Sequence, residues 1–222
     1  MPALTAYRLG LLFRSARWLP PFLLWAAIVA IGSTPGQPFA EVIAYNCMAL
    51  VPASAWTARV VLLAEPDASR AVLVAARGPV RVHLASIAAA ALVGTGLAVL
   101  GIGAAGATVG FADPALATAA GWGTMLAAGL AAGVACVLVG VAIGAACTTP
   151  LERRPGIAIP ATGILAVAAL VAAGSPAQAA VTGVADAPGP EANAALLAAL
   201  ASAVLVASVA AAGTAWWSRA RS

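Results

Sequence analysis

The chain has 222 residues, of which 63% are hydrophobic and 8% charged, with a mean hydropathy of +1.02. A soluble globular domain carries about a quarter charged residues, so this composition excludes one and specifies an integral membrane protein, a single transmembrane domain over 1–222. The formal charge of +4 comes from arginines dispersed at the borders of apolar runs, not clustered in one footprint, so no nucleic-acid partner is expected.

Lysine is absent, and all 11 basic residues are arginines. They lie in or beside alternate polar breaks: Arg8, Arg14 and Arg17 before the first apolar run, Arg59, Arg70, Arg77 and Arg81 around the second break, Arg153 and Arg154 in the fourth, Arg219 and Arg221 after the last. The first, third and fifth breaks carry none. Cytoplasmic loops retain Lys and Arg, so the pattern predicts an all-α polytopic fold with six transmembrane helices and both termini in the cytoplasm of a cell membrane protein. The spans fall at about 18–33, 39–63, 83–103, 121–147, 157–174 and 192–217. Without lysine the chain has neither a P-loop nor a Schiff-base amine of its own.

The segment before the first span is expected to lie along the membrane interface, with the span beginning near Pro20-Pro21. Pro38-Phe39-Ala40 is a poor signal-peptidase site, so an uncleaved span is expected there. A tight outer turn from Ser33 to Pro38 leads into the second span. Glu41 and Arg59, near its two ends, are expected to snorkel to the headgroups. Glu41 is the carboxylate that a proton-coupled carrier would use.

The second break carries the most local information. Glu65-Pro66-Asp67 places acids and a proline where a helix starts, and Arg77-Gly78-Pro79 places a cation, a glycine and a proline where one stops. A helix of about ten residues is predicted between them, too short to be stable alone in water and so in need of a membrane surface or a partner. Seven-residue spacing puts Arg70 and Arg77 on one face, with Val72, Leu73 and Val74 making apolar contacts elsewhere.

His83 is expected at the inner edge of the third span, beside Arg81, as an interface residue. A lone histidine makes no multi-histidine metal site, and no G-x-S-x-G element accompanies it, so neither a metal nor a catalytic residue is expected and the chain is not read as an enzyme. Cys47, Cys136 and Cys147 read as small buried hydrophobes. An outer loop follows at Asp113 and Pro114. The apolar stretch 115–147 would measure about 50 Å as one helix against a hydrocarbon core of about 30 Å, so the fourth span is expected to begin near Gly121-Trp122-Gly123. The outer segment 175–191, with Pro176, Asp186, Pro188 and Pro190, is expected to be re-entrant or interfacial. Trp216-Trp217 closes the last span as an aromatic anchor.

Gly106/Gly110, Gly129/Gly133 and Gly140/Gly144 have the spacing that lets membrane helices approach closely. Asn46, Ser54, Thr57, Ser86, Thr95 and Thr124 are mid-span polar groups that can bond to backbone or to neighbouring helices. Among them Asn46, Ser54 and Thr95 are the candidates for lining a translocation path.

Six spans, an interfacial N-terminal segment, the acidic Glu65, the stretch Ala75-Ala76-Arg77-Gly78-Pro79-Val80-Arg81 and the following Leu84-Ala85 resemble the membrane subunits of type-2 ATP-binding-cassette exporters of bacteria. The resemblance implies a nucleotide-binding ATPase subunit as partner, holding the ATP and magnesium, and a homodimer or heterodimer of membrane subunits in the lipid bilayer. It implies that Glu65, Asp67, Arg70, Arg77, Gly78, Pro79 and Arg81 couple to that ATPase, and that a hydrophobic or amphipathic substrate moves by alternating access. The family more often has a slightly longer chain, and spans one and five are short here. A secondary carrier or channel working without ATP, or a noncatalytic membrane assembly protein, is the alternative.

Overall fold

The computed structural model describes residues 2–34, 36–109, 116, 118–149, 154–186 and 190–219. Among them the chain forms helices α1 (Pro2–Arg14), α2 (Leu19–Gly32), α3 (Phe39–Leu62), α4 (Asp67–Arg77), α5 (Pro79–Thr108), α6 (Ala119–Thr148), α7 (Pro155–Val171), α8 (Pro176–Ala185) and α9 (Pro190–Arg219). The loop residues Asp113 and Pro114, together with Gly110, Arg153, Pro188 and Arg221, lie outside the described residues.

Proline writes most of the helix starts, because its fixed φ suits the first turn and its missing N–H would be unpaired there anyway. It stands in the first turn of α2, α5, α7 and α8. α6 instead starts at Ala119, two residues ahead of the expected glycine, on the N-cap Thr118, whose side chain accepts from the Gly121 N–H at 3.1 Å. The expected third span, 83–103, is only the middle of α5, since Gly78 at φ 82° turns the backbone sharply and Pro79 starts the helix at once.

α5, α6 and α9 are each long and apolar enough to cross a membrane, and three bent pairs raise the possible number of spans to six if each pair counts as one. α1 meets α2 at 78°, α3 meets α4 at 85° and α7 meets α8 at 47°. The first bend passes through Ala16 at φ 53°, a left-handed conformation in which a Cβ is crowded. α3, with 24 residues, spans about 36 Å by itself. Large apolar side chains on the outside, among them Ile164, Val167, Val171, Leu205 and Val209, form faces that a soluble monomer does not present. This is a membrane protein.

α3 is the central helix, packed against α2, α5, α6, α7 and α8. Its closest neighbour is α6, and the glycine spacing explains why. A Cβ on Gly140 would meet the backbone oxygen of Val51, and one on Gly144 the backbone oxygen of Ala55, so the two glycines of α6 seat on two residues of α3 with the same four-residue step. Gly129 and Gly133 extend the seam to Ile43 and to Ala98 and Leu50. At mid-bundle the Trp25 indole donates to Asn46 Oδ1 at 2.9 Å, and Asn46 Nδ2 donates to the Ala98 carbonyl at 3.4 Å, tying α2, α3 and α5 together.

The outer segment expected to be re-entrant or interfacial is helical in its described part and packs into the bundle. Ala177, Ala180 and Val184 of α8 are buried, and α8 packs on α3, α6 and α9. Ala177 lies beside Cys136, midway along α6, and Gly183 lies beside Leu196 in the second turn of α9. α7 and α8 follow one another at a bend of 47°, broken at Gly174 (φ 82°) and restarted by Ser175, whose hydroxyl accepts from the Gln178 N–H at 3.1 Å. The 17 residues of α7 are short for a bilayer, and with α8 they form a bent pair that has the length and composition of either one broken span or a re-entrant loop.

Directions alternate so that charge is sorted. Phe39 and Trp122, in the first turns of α3 and α6, meet edge to face at 5.4 Å at one end. At the other end Pro79, Thr149 and Trp217 share a cavity wall, and Arg8, Arg59, Arg70, Arg77, Arg81 and Arg219 lie there, on α1, α3, α4, α5 and α9.

Candidate coupling site

At the arginine-rich end α4 stands across the bundle. Asp67 sits in its first turn and Arg77 in its last, each charge complementing the helix dipole. No residue of α4 is buried. Arg70, Leu73 and Val74 are half-buried on the side toward the bundle, whereas Ala68, Val72, Ala75 and Ala76 are exposed, Val72 to 68%. Arg70 and Arg77, expected on one face, differ in exposure. Arg70 turns into a cavity beneath the helix, while Arg77, Arg81 and Asp67 remain exposed. The outward surface of α4 is a small apolar patch centred on Val72, with Asp67 and Arg77 at its ends.

Glu65 also differs from its expected place. It does not face outward: its carboxylate meets Arg8 Nη2 at 2.6 Å with the two side chains only 1% and 2% exposed, and accepts from the Tyr7 hydroxyl at 3.3 Å. Helix α1 is thereby locked to the elbow between α3 and α4. Burial pulls the Arg8 guanidinium below its ordinary range and Arg70 adds to this, while Glu65 pulls it back up. Arg8 Nε and Nη1 have no hydrogen-bond partner, so Glu65 carries the compensation of that charge.

The cavity under α4 measures about 320 Å³ and is walled by Arg8, Arg70, Val74, His83 and Trp217 among others. His83, expected at the membrane interface, is buried instead, with Nε2 at 2.8 Å from Thr214 Oγ1 of α9. The Thr214 hydroxyl donates to the Ala210 carbonyl at 2.7 Å, so His83 Nε2 carries the proton and donates to it. One imidazole therefore joins the start of α5 to the end of α9.

Gly78 and Pro79 form the joint between α4 and α5, as their residue types require. The three residues expected along a translocation path are not brought together. Asn46 is held between Trp25 and Ala98, Ser54 is buried in the seam where α3, α5 and α6 meet, and Thr95 is half-buried on α5. Thr57, Ser86 and Thr124 bond to the carbonyls of Ala53, Val82 and Ala120 in their own helices. Glu41, which a proton-coupled carrier needs in a buried place, is exposed. The three cysteines are free and buried.

Sequence reasoning missed Arg8 and Thr214. Arg8 and Leu12 are the two buried residues of α1, one helical turn apart, and an arginine in step with a buried leucine was the available signal. No family model, curated protein or solved structure matches the chain.

Proposed function

We propose that the chain is the membrane subunit of an ATP-driven exporter, with six spans and both termini cytoplasmic, and that α4 docks on a separate nucleotide-binding ATPase. The observation that carries this reading is α4 itself. It is a capped, exposed helix turned 85° from α3, with an apolar outward patch and a one-residue joint to α5. A helix of 11 residues is marginal by itself, and its outward surface is suited to a protein partner. The elbow that leads into α4 is tied to α1 by the buried Arg8–Glu65 pair, and α5, which follows α4 directly, is tied to α9 by the His83–Thr214 bond, as a segment that passes on motion requires.

In this reading two membrane subunits work together and ATP with magnesium binds on the partner. The spans alternate between inward- and outward-open states, and the apolar interior suits a hydrophobic or amphipathic substrate. A gradient-driven carrier would centre on Glu41, and the exposure of that carboxylate gives it no support. The test is co-purification of the tagged chain from its native membranes. An ATPase carrying a P-loop, encoded beside this chain, is expected in the complex. Its absence there and among the neighbouring reading frames would overturn the proposal.

A further inference from the structure

A second groove lies on the lipid-facing side, away from α4. It measures about 250 Å³ and runs between α2, α3 and α7, walled by Leu24, Pro52, Trp56, Arg59, Ile159 and Gly163 among others. Pro52 and Arg59 are two turns apart on α3, and Ile159 and Ala166 two turns apart on α7, so the walls extend about 10 Å along the bundle. Arg59, in the last turn of α3, is the one charged residue of this lining, and no acid accompanies it. Its Nη1 is buried without a hydrogen-bond partner.

A guanidinium nitrogen removed from water and left unpaired is costly, and an anion is its natural complement. The approach to this one is apolar. Trp56 is 41% and Ile159 60% exposed beside it, and both face hydrocarbon in a membrane, so an occupant arrives sideways from the bilayer. Arg59 and Trp56, one turn apart at the end of a span, are at headgroup depth.

We infer that this groove is a binding site for one phospholipid with an anionic headgroup, its phosphate on Arg59 and an acyl chain lying along Trp56, Pro52 and Gly163. A freely soluble anion has no aqueous route along those apolar walls. The inference requires only that the chain lies in a membrane, and stands apart from whether an ATPase drives it. Gly163 offers an independent handle, because a Cβ there meets nothing within 4 Å and a larger side chain enters the groove without displacing backbone.

The test uses the full chain in phosphatidylcholine vesicles containing brominated phosphatidylglycerol or brominated phosphatidylcholine. Quenching of Trp56 is read as the difference between the protein and its Trp56→Phe variant. Half-maximal quenching is expected at a mole fraction roughly tenfold lower for the anionic lipid, the size of one charge-assisted contact. Arg59→Gln should abolish that preference, and Gly163→Leu should remove Trp56 quenching by both lipids with helix content unchanged. Equal quenching by the two lipids, a preference that survives either substitution, or relief of quenching by added inorganic phosphate would overturn the proposal. So would a Trp56 that neither lipid quenches, the result expected if a second copy of the chain fills the groove.

Discussion

Arg8 and Glu65 meet at 2.6 Å in surroundings that leave their side chains 2% and 1% exposed, joining the first helix to the elbow that follows the third. Breaking a buried pair strands a charge, at about 3–5 kcal/mol, while replacing both partners by apolar residues is often neutral. Glu65→Gln and Arg8→Gln are therefore each expected to lower the thermal stability of the purified chain sharply, and the double variant Arg8→Met with Glu65→Leu to recover most of it. The midpoint of thermal unfolding in detergent reads the difference. Single variants as stable as the parent would mean that the pair holds nothing.

Gly144 seats directly on Ala55, so Gly144→Leu must push α6 away from the backbone of α3. Overpacking of this kind costs about 1–3 kcal/mol or more. Gly103→Ala is the contrasting change, since nothing lies within 4 Å of its Cβ and alanine favours a helix over glycine by up to about 1 kcal/mol. Size-exclusion profiles and melting midpoints should move in opposite directions for the two variants.

The exposure of Val72 shifts the expected docking surface from the arginines to the apolar patch. Val72→Asp together with Arg77→Glu is expected to abolish stimulation of the proposed ATPase partner by substrate while insertion and melting stay unchanged. Arg70→Gln, which alters the cavity side of α4, should instead lower thermal stability. Hydrolysis rates of the reconstituted complex separate these outcomes, and undiminished stimulation in the double variant would remove α4 from coupling.

Thr214→Val deprives the His83 Nε2–H of its acceptor in a buried position, at a cost of about 1–3 kcal/mol. Removing both groups with His83→Leu and Thr214→Val should cost less than the sum of the single changes. Melting midpoints of the four proteins complete the cycle, and strict additivity would mean that the two residues do not interact.

What the sequence made legible was local. Pro20-Pro21, Pro66 and Pro79 mark helix starts, Gly78 marks a stop, and the charges around 65–77 outlined α4 to within a residue or two because caps and dipoles act over one turn. Long-range pairing left no such trace. Glu65 read as a helix-start acid with no sign of its ion pair because its partner sits on another helix far upstream, and His83 read as an interface residue because its partner lies 131 positions away. The packing of α8 was illegible for a third reason. Gly174-Ser175-Pro176 is chemically the same whether it ends a span or bends one, and nothing local to that turn announces the burial of Ala177, Ala180 and Val184, three and four residues apart.

Gly78 is at once the last cap of α4 and the first cap of α5. Two helices that share a single residue have no slack between them: any tilt of α4 is taken up by one φ and one ψ, and what those two angles do not absorb turns α5 as a rigid rod. A lever so jointed is stiff in proportion to the crowding at its fulcrum. With no atom within 4 Å of a Cβ at Gly78, the fulcrum is free to swing, and the resistance must come from the far end, where His83 is bolted to Thr214.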